Sequence, residues 1–185
     1  MAKPLRADAK RNRDNLVAVA RRAFATDGNA SLEGIAREAG VGIGTLYRHF
    51  ATREALVESV YAAELDEVAA SADDLLQRFP AEKALEAWVR RYAEFVMAKR
   101  GIIETLRSGW AAGRIATPST RQRITAAIDT ILSAGVREGT LRGDVAADDV
   151  TALLLGVCLA TPTDDDAPQR SRMLDLVIGT LRVHA

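Results

Sequence analysis

Apolar residues recur at intervals of three and four along nearly the whole chain, the spacing of one face of an α-helix, and no stretch alternates as a strand would. Leu16, Val19, Ala20, Ala23 and Phe24 form the first stripe. Asp27-Gly28 ends it, with Gly28 free to take the left-handed conformation that closes many helices. Ser31 stands where an N-cap hydroxyl accepts from an orphan N–H of the next helix. That helix is short, with Leu32, Ile35, Ala36 and Ala39 inward, and Gly40 stops it. A third short helix turns Leu46 and Phe50 inward. Thr52 then caps a long fourth one through Leu56, Val60, Leu65, Val68, Leu75 and Leu76 to Phe79-Pro80. Beyond Pro80 come a stripe of Leu85, Trp88, Val89, Tyr92, Phe95 and Val96, a short helix over Ile102–Ala112, and the loop-like "GRIATPST". Ile124, Ile128, Ile131, Leu132 and Val136 form another helix, closed by "EGTLRGD". Val150–Ala160 and Ser171–Val183 are the last two, separated by the acidic "TPTDDDAP". The pattern predicts an all-α protein of about nine helices.

Composition changes this picture little. The 185 residues are 48% hydrophobic and 27% charged, ordinary for a globular protein. No run of 18 or more apolar residues is present, and "MAKPLRADAKRNRD" lacks the apolar core of a secretory signal, so a cytoplasmic location is expected. Charge is more informative. The net charge is zero, but residues 1–60 hold 10 Lys and Arg against 7 Asp and Glu, and the remainder holds 15 against 18. A basic first third suits a head that faces a polyanion, and equally a solvated tail.

The second and third helices carry the candidate chemistry. Two short helices joined by a tight turn make a DNA-reading unit when five requirements are met. The crossing needs a small residue, here Ala36. The turn needs tolerance of positive φ, here Gly40, followed by an apolar plug, Val41. The second helix needs inward residues one turn apart, here Leu46 and Phe50. An ordinary helical hairpin meets some of these too, and a helical adaptor that binds protein through the same hairpin is the alternative reading.

The stretch "TDGNASLEGIAREAGVGIGTLYRHFATREALVESV" resembles the DNA-binding head of tetracycline-repressor-type (TetR-family) regulators. The resemblance rests on Ser31, Ile35-Ala36, Ala39-Gly40-Val41, Gly44-Thr45-Leu46-Tyr47, His49-Phe50 and Arg53-Glu54, within roughly residues 11–60. It implies a helix-turn-helix domain over 1–55, with the motif about 32–51, and a helical ligand-binding and dimerisation domain over 56–185. It also implies a recognition helix, about Ile43–Phe50, in the major groove. Ser31, Ile43, Gly44, Thr45, Tyr47, Arg48, His49, Thr52 and Arg53 are then the DNA-contacting set. Thr45 can bond a base edge or a phosphate, and Tyr47 and His49 can donate to phosphates. Arg48 can pair with guanine or with a phosphate. Ser31 and Thr52 cap helices whose amides face phosphates, and Arg53 stands where relatives place a phosphate-binding Lys or Arg. Many relatives carry a serine and a basic residue where this chain has Gly42 and Ile43. Ile43 can touch a thymine methyl or pack on the head.

For the body, the resemblance implies a homodimer through Val150–Ala160 and Ser171–Val183. It also implies a small-molecule effector that releases a repressor from a near-palindromic operator. Trp88, Tyr92, Phe95 and Trp110 are candidate pocket residues, with Arg91, Glu94, Glu104 and Arg107 as polar handles. Aromatics at helical spacing also make core. Cys158 is the only cysteine, within an apolar stripe, where thiols are usually inert rather than redox-sensing. No catalytic set, metal-ligand spacing or cofactor motif is found, so neither an enzyme nor a cofactor is expected. The run Asp164–Asp166 is a solvated loop or caps the last helix.

Overall fold

The computed structural model describes residues 3–99 and 118–183, with eight helices among them. They are α1 (Lys3–Thr26), α2 (Leu32–Glu38), α3 (Ile43–His49), α4 (Arg53–Arg78), α5 (Ala81–Ala98), α6 (Pro118–Glu138), α7 (Ala147–Ala160) and α8 (Ala167–Leu181). The helix expected over Ile102–Ala112, with Glu104, Arg107 and Trp110, lies outside the described residues, as does His184. The chain divides into two compact units, Met1–Ala63 and Glu64–Ala185, and the division falls inside α4.

The first unit is built on one small core. Leu16, Val19 and Ala20 of α1, Ile35 and Ala36 of α2, Leu46 of α3, Phe50, and Leu56 and Val60 of α4 are all buried together. Helices of seven residues such as α2 and α3 have no stability of their own in water. Burying a Leu or Phe is worth about 1.5–3 kcal/mol each, so the core is what makes them helices. The turn between them matches the expected chemistry. Gly40 has φ 71°, and the N–H groups of Gly40 and Val41 close α2 onto the carbonyls of Arg37 (3.1 Å) and Ala36 (3.0 Å). Val41 is half-buried against the core.

Several boundaries differ from the sequence reading; among them the helix expected over Val150–Ala160 begins at Ala147. Gly28 does not take positive φ; the chain leaves α1 through an Asp turn, in which Asp27 Oδ1 accepts from Asn29 N–H at 2.9 Å and Asp27 O accepts from Ala30 N–H at 2.9 Å. The aspartate supplies the turn, so the glycine's freedom is not needed. The segment "GRIATPST" is not loop to its end, because α6 starts at Pro118, whose fixed φ suits a first helical position. For the same reason α8 starts at Ala167-Pro168 rather than Ser171, and it ends at Leu181, leaving Val183 outside it.

In the second unit α6 packs on α5 and α7, α7 also on α5 and α8, and α5 also on α8. Leu85, Trp88, Val89, Ile128, Ile131, Val150 and Leu154 are completely covered. The Trp88 indole N–H donates to the carbonyl of Val68 at 3.0 Å, so the ring is buried without an orphaned donor. Glu64 is buried too, and Lys99 meets it at 2.8 Å. An isolated antiparallel bridge joins Leu141 to Arg182, with Arg142 N–H donating to Leu181 O (2.9 Å) and Val183 N–H to Thr140 O (3.1 Å).

Gly135 sits where a Cβ would come within 2.4 Å of the buried Leu141 side chain. Gly135→Ala should therefore destabilise the second unit by about 1–3 kcal/mol through overpacking. Gly28→Ala, where a Cβ meets nothing within 4 Å, should stay within about 0.5 kcal/mol. Thermal unfolding of both variants checks the contrast.

Candidate nucleic-acid interface

The residues that could touch DNA are held by the first unit's core. Leu46 and Phe50 are 0% and 2% exposed, which fixes the rotation of α3 about its axis. That rotation turns Ile43 and Tyr47 outward, 36% and 48% exposed, with Arg48 exposed beside them. Thr45 is half-buried, and its hydroxyl accepts from Arg48 Nη2 at 2.8 Å. One turn of helix separates the pair, so the guanidinium lies along the outer face of α3. The His49 ring, half-buried, leans on Phe50 with centroids 6.3 Å apart. Gly44 is exposed in the first turn, with open space where a Cβ would be.

Ser31 and Thr52 both serve as caps. Ser31 Oγ accepts from Gly34 N–H at 3.1 Å, and Thr52 Oγ1 accepts from Ala55 N–H at 3.2 Å. A bond from its own backbone N–H, and then one from the Thr52 hydroxyl, hold the Glu54 carboxyl below the usual range. An anionic Glu54 in the first turn of α4 also favours that helix end. Arg53 is engaged with the protein itself. Nη1 donates to Ala30 O at 2.6 Å, Nη2 to Gly28 O at 2.7 Å, and the guanidinium lies 4.9 Å over the Phe24 ring.

Three side chains whose contacts fix the head carry no periodic signal. Asn15 Nδ2 donates to Ala39 O at 2.9 Å, fastening α1 to the turn of the motif. Arg13 stacks 5.1 Å over Phe50 and donates to Ser59 Oγ at 3.1 Å. Arg22 pairs with Glu38 at 3.1 Å. The sequence shows only exposed polar residues there; their partners lie 16–46 positions away.

A two-helix motif of this geometry has well-marked relatives. Residues 16–60 match the family model of bacterial regulatory proteins of the tetR family. Residues 80–183, more than half the chain, match the C-terminal domain of SbtR-like transcriptional regulators. This chain belongs to the TetR family of transcriptional regulators. A TetR regulator of Streptomyces coelicolor is 41% identical, with a TM-score of 0.73, and the match covers 94% of this chain and 99% of that one. A TetR regulator of Mycobacterium vanbaalenii is 32% identical, with a TM-score of 0.64 over 97% and 100% of the two chains. The regulator RolR, solved with resorcinol, shares the fold at 18% identity, with a TM-score of 0.66 over 97% and 91%. Among curated relatives, an HTH-type transcriptional regulator of Staphylococcus aureus (strain USA300) is 42% identical over 64 residues, 34% of this chain and 35% of the relative. The match to these curated relatives thus spans about a third of their length.

In this TetR-family chain the candidate pocket aromatics are placed as follows. Trp88 is wholly buried and stacks on Tyr92 with centroids 5.5 Å apart and planes 8° from parallel. Tyr92 is buried and Phe95 half-buried; Trp110 lies outside the described residues. Arg91 and Glu94 are exposed. An open groove of about 740 Å³ runs between α6 and the start of α7, lined by Arg121, Thr125, Asp129 and Asp148 among others, and not by Trp88, Tyr92 or Phe95. Burial pushes the Cys158 thiol up to about 11, which disfavours the reactive thiolate. Asp166 closes the loop before α8 by accepting from the N–H and hydroxyl of Thr163, at 2.9 and 2.8 Å. Among the described residues no helix is long and apolar enough to cross a membrane.

Ser31→Ala removes the oxygen that satisfies Gly34 N–H and should cost the head about 1 kcal/mol, while Ser31→Asp should retain most of it. Hydrogen exchange at the Gly34 amide, faster in Ser31→Ala and near wild-type in Ser31→Asp, is the readout.

Proposed function

We propose that this TetR-family chain is a repressor that binds a short, near-palindromic operator as a homodimer, and that a small effector held in the body releases it. The observation that carries the DNA reading is the exposed surface of α3, where Ile43, Tyr47 and Arg48 are exposed and Arg48 reaches the half-buried Thr45, while Leu46 and Phe50 lock the helix from beneath. Arg48 reads a base edge, a guanine pair being worth about 1–3 kcal/mol of discrimination. Tyr47 and His49 donate to phosphates, as do the groups around Ser31 and Thr52. Ile43 offers an apolar surface to a thymine methyl, and Gly44 lets the backbone come close.

The dimer reading is supported by apolar side chains that the single chain leaves uncovered. Leu153 and Leu159 on α7 are 53% and 36% exposed, and Leu176 on α8 is 70% exposed, although the opposite faces of both helices are packed in the core. A helix apolar on two sides needs a second surface to cover it. Two copies joined through α7 and α8 present two recognition helices to half-sites about 34–36 Å apart. The effector reading rests on the family and on the resorcinol-bound regulator of the same fold, with Tyr92 and Phe95 as the described aromatics nearest to a pocket role. The ligand would act by favouring a head spacing that mismatches the half-sites. A cytoplasmic location follows from access to DNA.

Arg48→Ala and Tyr47→Ala should each weaken binding to the DNA flanking the chain's own gene by about tenfold or more, with helicity and dimer mass unchanged. Full specific binding by both variants in a gel shift would remove the recognition-helix assignment. Leu176→Glu should convert the dimer to a monomer by light scattering at micromolar concentration, with its circular dichroism retained.

A further inference from the structure

Arg53 stands at the first position of α4, where a cation facing a phosphate would be expected, yet its fork is turned into the protein. Both terminal nitrogens donate to backbone carbonyls of the connection between α1 and α2, Ala30 at 2.6 Å and Gly28 at 2.7 Å. The face of the guanidinium is covered by the Phe24 ring at 4.9 Å. Gly28 and Ala30 lie on the segment that delivers Ser31, Phe24 lies in the last turns of α1, and Arg53 itself follows Thr52 directly. The two hydroxyls proposed above to border the DNA therefore sit on strands of chain that Arg53 ties together. The other hydrogen bonds within this connection, among the described residues, are those of the local Asp27 turn.

We propose that Arg53 is a positioning residue for DNA binding: it clasps the Gly28 and Ala30 carbonyls over Phe24, fixing Ser31 relative to Thr52, and neutralises no phosphate. This rests on the DNA reading of the preceding subsection. It depends on the shape of the side chain as well as its charge. A planar fork can hold two carbonyls while lying flat on a ring, and a lysine ammonium cannot reproduce that arrangement.

Salt dependence separates a clasp from a phosphate contact. Each phosphate neutralised contributes about 0.9 to the slope of log affinity against log salt, so a phosphate-bound Arg53 would supply about 1.8 per dimer. The probe is the duplex that the full-length wild-type chain recovers from a random-sequence library. Arg53→Gln should lower affinity by roughly an order of magnitude while leaving the slope unchanged. Arg53→Lys, which keeps the charge, should bind as weakly as Arg53→Gln. Phe24→Leu removes the ring but no charge, and should show a smaller loss at constant slope. It also serves as the gentler variant if the Arg53 substitutions unfold the head. A slope shallower by about 1.8 in Arg53→Gln, with affinity and slope restored in Arg53→Lys, would overturn the proposal. So would unaltered affinity in Phe24→Leu. If the wild-type chain recovers no duplex, the DNA reading itself fails, and the clasp as a binding device fails with it.

Discussion

The burial of Leu46 and Phe50 is the constraint on which the functional surface depends. A seven-residue helix cannot persist alone, and α3 exists because those two side chains, at 0% and 2% exposure, complete the core formed with Leu16, Ile35 and Leu56. The same burial decides which side chains face outward. Arg48 stands on the side of the helix away from Leu46, while Ile43 and Tyr47 border the buried side and remain 36% and 48% exposed. Folding and recognition are thus one geometrical fact, and any change that rotates α3 alters both.

A second layer of polar contacts makes that geometry rigid. The turn residue Ala39 is held by Asn15, Phe50 lies under Arg13, and the connection leading to Ser31 is held by Arg53. Individually, exposed or half-exposed hydrogen bonds contribute modestly, about 0.5–1.5 kcal/mol. Their value lies in direction, since each joins segments far apart in sequence at a point next to a proposed contact. The second unit has a different character. Its aromatic centre, Trp88 on Tyr92, is packed and hydrogen-bonded, whereas Leu153 and Leu176 stand uncovered on its outer helices.

Much of the fold was legible because it depends on local rules. The 3.6-residue period located every described helix, Ser31 and Thr52 announced two helix starts, and Gly40 marked the turn through its positive φ. The misreadings occurred where two local rules competed. At Gly28 the preceding aspartate supplied the turn, and at Pro118 and Pro168 a proline taken to belong to a loop began a helix instead. The inward pair Leu46 and Phe50 was readable from register, whereas the α3 residues named for contact came from the family resemblance. The engagement of Arg53 was not, because a sequence shows that a cation is present but not which carbonyls lie within its reach. The bridge between Leu141 and Arg182 was hidden for the same reason.

The central claim is that the outer face of α3, set by the core beneath it, is the surface that meets DNA. Amide hydrogen exchange of the full-length dimer, with and without the duplex it selects, tests this most directly. The account predicts slowed exchange concentrated between residues 31 and 53, strongest over Gly42–His49. Protection confined to α6–α8, or absent from α3 while the duplex is bound, would contradict it.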